Sequence, residues 1–556
     1  MRNKENFRSI LKHYPHLLSF LILLYLTSFG LCQGGGSVAW PVTRAERTDY
    51  QETALYADVI QFLETLQVKG APVSVEYIGE SPEGKRIPLV IASRPMVAGP
   101  ADARRSGRPI VYLQANIHAG EVEGKEATLM LLRDFAQEAP GKGMLDEIVL
   151  LATPIYNIDG NEKLSENNRR GQNGPVLAGV RANGQGLDLN RDAVKAASNE
   201  MQAVLQHVYT KWEPDAIIDL HTTNGSRHGY QLTYAPAMYP NLDKDMEKFN
   251  RDKLLGTVRQ RLQDELDIQV FDYGNTSRAR GAEQPQLLTW RTFGCEPRYV
   301  TNYAGARNRI GVLSETVTYV PFDNRVRVAY HFTRMVLDEI RKNKDEVLRL
   351  VRQADNRVID WGLHPERAPE MGVAFTMDNR GVEDMLLEKA DTYDRSVIGP
   401  PKELETVKVE VWDRFKITKT SKFPAAYLIP AEMTAVVELL GKHGVVIEKL
   451  LGDWSGDTEA FLIETVGGGG GRGSFSGAGQ SITGAFEANP KAQMPAGSYL
   501  VRTAQPLGIL VFTLLEPENP DSVAAGGFVN DYLKAKEKYP ILKCFEQVKV
   551  ATERVR

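Results

Sequence analysis

Residues 116–121 read Asn116-Ile117-His118-Ala119-Gly120-Glu121 and close the apolar run Ile110 to Leu113. A β-like run that stops on His-x-x-Glu puts an imidazole and a carboxylate at the mouth of a sheet. Both are zinc ligands, and one short loop can supply the pair. Catalytic zinc needs a third protein ligand and an open position for water. A candidate ends another apolar run, Ala216-Ile217-Ile218-Asp219-Leu220-His221. A four-residue pattern of common residues arises easily by chance, so the rest of the chain has to decide.

Working outward, apolar runs alternate with helical patterns. Tyr56 to Gln67 predicts a helix. Val73 to Gly79 and Ile87 to Ala92 predict two strands, joined by a turn containing Pro82 and Gly84. A helix is expected over Lys125 to Ala139, a strand over Ile148 to Ala152, a helix from about Asn199 to Trp212 and a strand ending at His221. The run Ile310 to Leu313 leads to Ser314-Glu315, and Arg325 to Lys342 reads as a helix. Strands apolar throughout, alternating with helices, predict an α/β fold with a mixed, largely parallel sheet flanked by helices. In such sheets ligands gather at strand ends, where His118, His221 and Glu315 fall.

From about Asn356 the pattern shifts. Val407 to Ile417, Tyr499 to Arg502 and Leu507 to Phe512 read as strands, Ala425 to Ile429 is a short apolar run, and Met433 to Lys442 reads as a helix. The Gly/Ser-rich stretch Gly467 to Gly479 reads as a long loop, because no phosphate-binding Gly-Lys-Ser/Thr follows it. The expected organisation is a signal peptide over 1–32, a catalytic domain over 40–355 and an appended α+β C-terminal unit of unknown role over 356–556.

Composition narrows the function classes. The chain has 556 residues, 42% hydrophobic and 25% charged, enough for two or three domains with a large core. A net charge of -4 without a long basic run speaks against nucleic-acid binding. Arg2, Lys4, Arg8 and Lys12 precede the apolar run Leu17 to Leu26, the pattern of a signal peptide cut before Gln33. The expectation is an exported protein, periplasmic or extracellular, with no stable membrane span after cleavage; an uncleaved anchor is the competing reading. Cutting after Cys32 leaves Cys295 and Cys544, too few for a disulfide scaffold, and no bond is expected between them.

Six features line up in order: His118-x-x-Glu121, Asn157-Ile158-Asp159-Gly160, an Arg-rich polar segment, Asp188-Leu189-Asn190-Arg191, His221 and Glu315. Over roughly Tyr50 to Asn343 this resembles the zinc carboxypeptidases, the M14 metallopeptidases. The resemblance implies one Zn2+ ion on His118, Glu121 and His221, with Glu315 as general base. It implies that Asn190 and Arg191 grip the free C-terminal carboxylate of a peptide or peptide-like substrate, and that Asp188 orients a zinc-bound histidine. An arginine should stabilise the oxyanion; Arg169, Arg170 and Arg181 are candidates and Arg169 is favoured. A substrate-capping tyrosine should precede Glu315; Tyr299 and Tyr303 both qualify and Tyr303 is taken.

Other residues compete for these roles. His228, past the turn Asn224-Gly225, is read as a pocket-wall residue, and Glu123 and Glu126 as the start of a helix. Gly120 stands where the family often carries an arginine, and Asp192 where an Asn is common; these departures suggest a distant bacterial-style branch. The implied activity is hydrolysis of C-terminal amide bonds. A same-fold deacylase acting on acyl-amino acids and a non-catalytic peptide-binding surface protein are the alternatives.

Overall fold

The computed structural model describes residues 39–555 apart from 139–141, 224, 277–286, 393–397 and 469–478. The expected signal peptide and the middle of the Gly/Ser-rich stretch lie outside the described residues. Nine strands come first in the chain: β1 (Val73–Glu80), β2 (Arg86–Ala92), β3 (Ile110–Ala115), β4 (Val149–Thr153), β5 (Ala216–Thr223), β6 (Leu232–Pro236), β7 (Val270–Asp272), β8 (Leu288–Arg291) and β9 (Ile310–Val317). All but β8 form one eight-stranded sheet in the order β1-β2-β4-β3-β5-β9-β6-β7. The pairs β4/β3, β3/β5, β5/β9 and β6/β7 are parallel, while β1/β2, β2/β4 and β9/β6 are antiparallel. This is the mixed, largely parallel sheet with flanking helices that the apolar runs predict.

Every residue of β3, β4 and β5 is buried, as expected of strands covered on both faces. Helix Glu123–Gln137 lies so close to β5 that a Cβ on Gly124 would come 2.7 Å from Leu220 Cβ. Asp219 and His221, two residues apart on that strand, point to the opposite face. There Tyr112 of β3 packs edge-on against Tyr209, which in turn meets Tyr303 of helix Val300–Ala306. Helix Phe322–Lys342 packs beside Glu123–Gln137.

Downstream come β10 (Met371–Glu388), β11 (Leu404–Ser421), β12 (Ala426–Ile429), β13 (Glu448–Leu450), β14 (Trp454–Gly468), β15 (Gln480–Met494), β16 (Tyr499–Arg502), β17 (Leu542–Cys544) and β18 (Thr552–Arg554). β10 and β11 form a long antiparallel hairpin, and β8 adds to β11 in parallel, Val409 opposite Leu288. The other strands make a seven-stranded sheet, β15-β14-β17-β12-β16-β13-β18. Residues Val42–Arg556 pack as one compact unit. Among the described residues, no helix is long and apolar enough to cross a membrane.

One expected strand is a helix. Leu507 to Phe512 belongs to helix Gly508–Leu515, in which every residue is buried. A short run that is apolar on all sides carries no period, so strand and buried helix look alike in sequence. Cys295 and Cys544 are both buried and free.

Candidate metal centre and cleft

The site begins where β3 ends. Asn116 takes a left-handed conformation (φ 64°) that turns the chain out of the sheet. Its side-chain amide donates to the carbonyls of Ala119 (3.1 Å) and Glu121 (3.3 Å), and the Glu121 N–H donates to the His118 carbonyl at 2.8 Å. The turn brings the His118 and Glu121 side chains together. Asn157 pins it from below, donating to the carbonyls of Ile117 (3.3 Å) and Arg181 (3.1 Å).

His118 Nδ1 lies 3.0 Å from Glu121 Oε1, and His221 Nδ1 lies 3.0 Å from Glu121 Oε2. Ligand atoms of these three residues all fall within 4.8 Å of one another. Around a tetrahedral zinc, atoms held at about 2.1 Å stand about 3.4 Å apart, so the cluster needs little adjustment to hold one. The opposite ring nitrogens are anchored: His118 Nε2 lies 3.0 Å from Asp188 Oδ1, and His221 Nε2 2.8 Å from Asp219 Oδ2. A carboxylate at Nε2 keeps the proton there and turns the Nδ1 lone pair toward the centre, the arrangement that metal-binding histidines use. The donor set fits a divalent cation.

Burial works against charge on Glu121, yet His118 and Arg169 hold its carboxyl well below the usual range. Burial likewise opposes ionisation of Asp188, whose carboxyl is nevertheless held down, mainly by its bond to His118. Burial lowers and Asp219 raises the His221 pKa, with Glu121 helping, and the result is well above the ordinary imidazole value. A buried dication among the same atoms would meet the charge that the proton now meets.

Glu315 sits opposite His221 in the β5/β9 register. Burial is the main reason its carboxyl is pushed up to about 8; the charges of Glu121 and Asp219 add to the shift and His221 opposes it. With His118, Glu121 and His221 it lines a cavity of about 280 Å³, which Arg169, Arg181, Asn190 and Arg191 also line. Arg169 Nη2 lies 3.1 Å from Glu121 Oε1 and donates to the Thr222 carbonyl at 3.2 Å. Arg181 is 44% exposed and grips Asp188 through Nε (3.0 Å) and Nη2 (2.9 Å). Arg170 bonds Asn167 and does not line the cavity.

The Asn190 side chain reaches both the metal cluster and the far wall. Its Nδ2 lies 3.4 Å from His221 Nε2, and its Oδ1 accepts the Val300 N–H at 3.1 Å. The guanidinium of Arg191 stands 4.5 Å over the ring of Tyr299. Tyr299, Phe293, Tyr273 and Leu313 supply the apolar part of the wall.

Two residues lie elsewhere than expected. Tyr303 is fully buried, and its hydroxyl is bonded to His443 Nδ1 (2.7 Å) and Arg307 (3.1 Å). Of the two candidates, Tyr299, one turn earlier and just outside helix Val300–Ala306, is the one that lines the cavity. His228 is no wall residue either. It is buried with Nδ1 3.1 Å from the Tyr319 hydroxyl and its ring edge against Trp290, and burial pushes its pKa down to about 3. Glu123 and Glu126 do start the helix. Glu126 accepts the Ala54 N–H at 2.6 Å, and Glu123 Oε1 accepts from Arg325 (3.1 Å), Thr222 and Thr316 beneath the cluster.

Sequence reasoning overlooked Asp219. The signal was there: two residues before His221 on a strand is the same face. The Glu123–Arg325 pair carried none, since 202 residues separate the partners.

Residues 59–280 match the family model described as zinc carboxypeptidase. The chain is 24% identical over 485 residues to Carboxypeptidase 2 of Trichophyton tonsurans, covering 84% of this chain and 81% of that protein. It is also 24% identical over 481 residues to Carboxypeptidase 2 of Trichophyton rubrum. Among solved structures it is similar to a metallo-carboxypeptidase from Burkholderia cenocepacia, with 16% identity, a TM-score of 0.39 and 53% of this chain and 71% of that one covered. Carboxypeptidase A from Helicoverpa armigera gives 15%, 0.39, 62% and 86%. Residues 59–280 carry the match to the zinc carboxypeptidase family model, and the chain is by class a metallocarboxypeptidase.

Proposed function

We propose that the protein is an exported carboxypeptidase that removes C-terminal residues from peptides, using one zinc ion on His118, Glu121 and His221. The observation that carries this reading is one cleft lined by the cluster, Glu315 and Arg191 together. Zinc held there supplies a Lewis acid for the scissile carbonyl and its attacking water. Glu315 accepts the proton from that water and hands it to the leaving amine as the C–N bond breaks. Arg169, nearly buried and braced by Thr222, donates to the carbonyl oxygen as it gains charge.

Arg191 takes the substrate's terminal carboxylate through two parallel N–H bonds, with Asn190 beside it. The Tyr299 ring beneath the guanidinium fixes its plane, and Tyr299 replaces Tyr303 as the tyrosine that touches substrate. Asp188 and Asp219 keep the two imidazoles in the metal-binding tautomer. Residues 40–355 would form the catalytic domain, with 1–32 as the signal peptide.

The test is mass spectrometry of a peptide library incubated with the zinc-loaded protein. Ladders shortened from the C-terminus, absent after chelation and absent for C-terminal amides, are expected. Intact peptides together with cleaved acyl-amino acids would replace this reading with a deacylase.

A further inference from the structure

The C-terminal region reaches the segments carrying Arg191 and Tyr299 through two buried residues, Asp521 and His443. Asp521 accepts the backbone N–H of Arg298 at 2.6 Å through Oδ2, and its Oδ1 lies 2.8 Å from Arg298 Nε. Arg298 Nη2 also donates to the Pro520 carbonyl at 3.0 Å. Arg298 immediately precedes Tyr299, and its own carbonyl accepts the Ala193 N–H at 3.4 Å. Asp521 thus holds the chain that places Tyr299 under Arg191.

His443 is the second of these residues. Its Nε2–H donates to the Val194 carbonyl at 2.8 Å, three residues beyond Arg191. Its Nδ1 accepts the Tyr303 hydroxyl at 2.7 Å, one helical turn after Tyr299, and its carbonyl accepts from Arg307 at 2.9 Å. His443 is fully buried and neutral, which lets one ring donate and accept at once. The segment 190–194 and the segment 298–303 are therefore tied to one body by residues far downstream. Between these ties lie the Asn190–Val300 bond and the Arg191–Tyr299 stack.

We propose that the C-terminal region is a working part of the cleft: Asp521, through Arg298, and His443, through Val194 and Tyr303, position the clamp formed by Asn190, Arg191 and Tyr299. Both are positioning residues, remote from the reacting atoms. Buried hydrogen-bonded networks rigidify what they hold, and a clamp loosened by a fraction of an ångström grips a carboxylate less well. The inference rests on the carboxylate-binding role given to Arg191 above.

The experiment compares steady-state kinetics of the full-length wild type, Asp521→Asn and His443→Gln on a peptide with a free C-terminus. Asp521→Asn keeps an acceptor for the Arg298 N–H and removes the ion pair. His443→Gln, which keeps a donor and an acceptor, covers the case in which the first variant does not fold. Expected is a KM raised about tenfold with kcat within about twofold of wild type. A variant that merely loses folded protein lowers kcat and leaves KM in place. An unchanged KM in a folded variant overturns the proposal. A wild type without turnover sinks the functional reading instead, and the clamp is then read by calorimetric affinity for a free-carboxylate dipeptide, expected to weaken about tenfold in the variants and to stay unchanged were the proposal wrong.

Discussion

His221 and Glu315 are direct partners in the register of two parallel strands, β5 and β9. Neighbouring strands lie about 4.8 Å apart, so the sheet itself sets a proposed metal ligand beside a proposed base without help from a loop. Glu121 and Asp219 converge on the same histidine, and the burial of these three sets two carboxylates against one imidazole, with the half-buried Glu315 beside them. Such an arrangement is costly unless a cation or proton occupies it.

Glu315→Gln should leave the metal cluster intact, because Glu315 is not among its ligand atoms. Zinc content measured by atomic absorption should remain at one per chain while kcat falls by about 10²–10⁴-fold. Undiminished turnover would remove Glu315 from the role of base.

Gly120 answers a second question, that of the arginine missing beside Glu121. A Cβ at position 120 would lie 2.6 Å from the Gly179 carbonyl oxygen and 2.7 Å from Arg169 Cγ. The space that a side chain would take is filled by Arg169 arriving from another loop. Gly120→Ala should displace Arg169 and lower kcat by about 10²-fold, as loss of an oxyanion donor does, with zinc content unchanged. Wild-type kinetics in that variant would mean that Arg169 plays no part in the reaction.

Glu200 predicts a pH dependence of stability. It is buried, with Oε2 accepting from Asn183 at 2.9 Å, and burial first, then the carboxylates of Asp159 and Asp192, push its pKa up to about 7. Below its unfolded pKa near 4.5 both states hold the proton and nothing is lost. As pH rises toward about 7 the unfolded chain releases its proton first, and stability falls by about 1.4 kcal/mol per unit. Glu200→Gln should remove that decline, gaining up to about 3 kcal/mol at pH 8 and nothing at pH 4. Parallel melting curves of the two proteins across that range would discard the assignment.

The His118, Glu121 and His221 cluster was legible because its residues close long apolar runs, and β3 and β5 are buried throughout while β9 is buried at every residue but Glu315. Short edge strands such as β7, three residues long, have no room for a pattern. Helix Gly508–Leu515 was misread for the converse reason, a run buried on every side. Choosing between Tyr299 and Tyr303 required knowing where helix Val300–Ala306 starts, since one turn decides which ring meets the cavity and which meets His443. His228 looked like a wall because it follows His221 closely, but the chain turns it into the aromatic core around Trp290. Those distinctions depend on partners hundreds of residues away, which local pattern does not record.

Asp219 and Asp188 do the same work for the two histidines in different surroundings, and that contrast gives the last prediction. Asp219 is wholly buried, 2.8 Å from His221 Nε2, with its other oxygen 3.3 Å from the Gln114 amide. Asp188 is 29% exposed, and Arg181 already neutralises part of its charge. Replacing either by Asn keeps an acceptor for the imidazole N–H but removes the negative charge that makes Nδ1 a stronger donor to the metal. Loss of such a partner typically weakens metal affinity by about 10–100-fold. At Asp188 water can restore some of the lost interaction, and at Asp219 it cannot enter. Asp219→Asn should therefore stand near the upper end of that range and Asp188→Asn near the lower, read by competition with a chelator of known affinity. Equal losses, or a larger loss at Asp188, would show that burial does not govern how these carboxylates support the site.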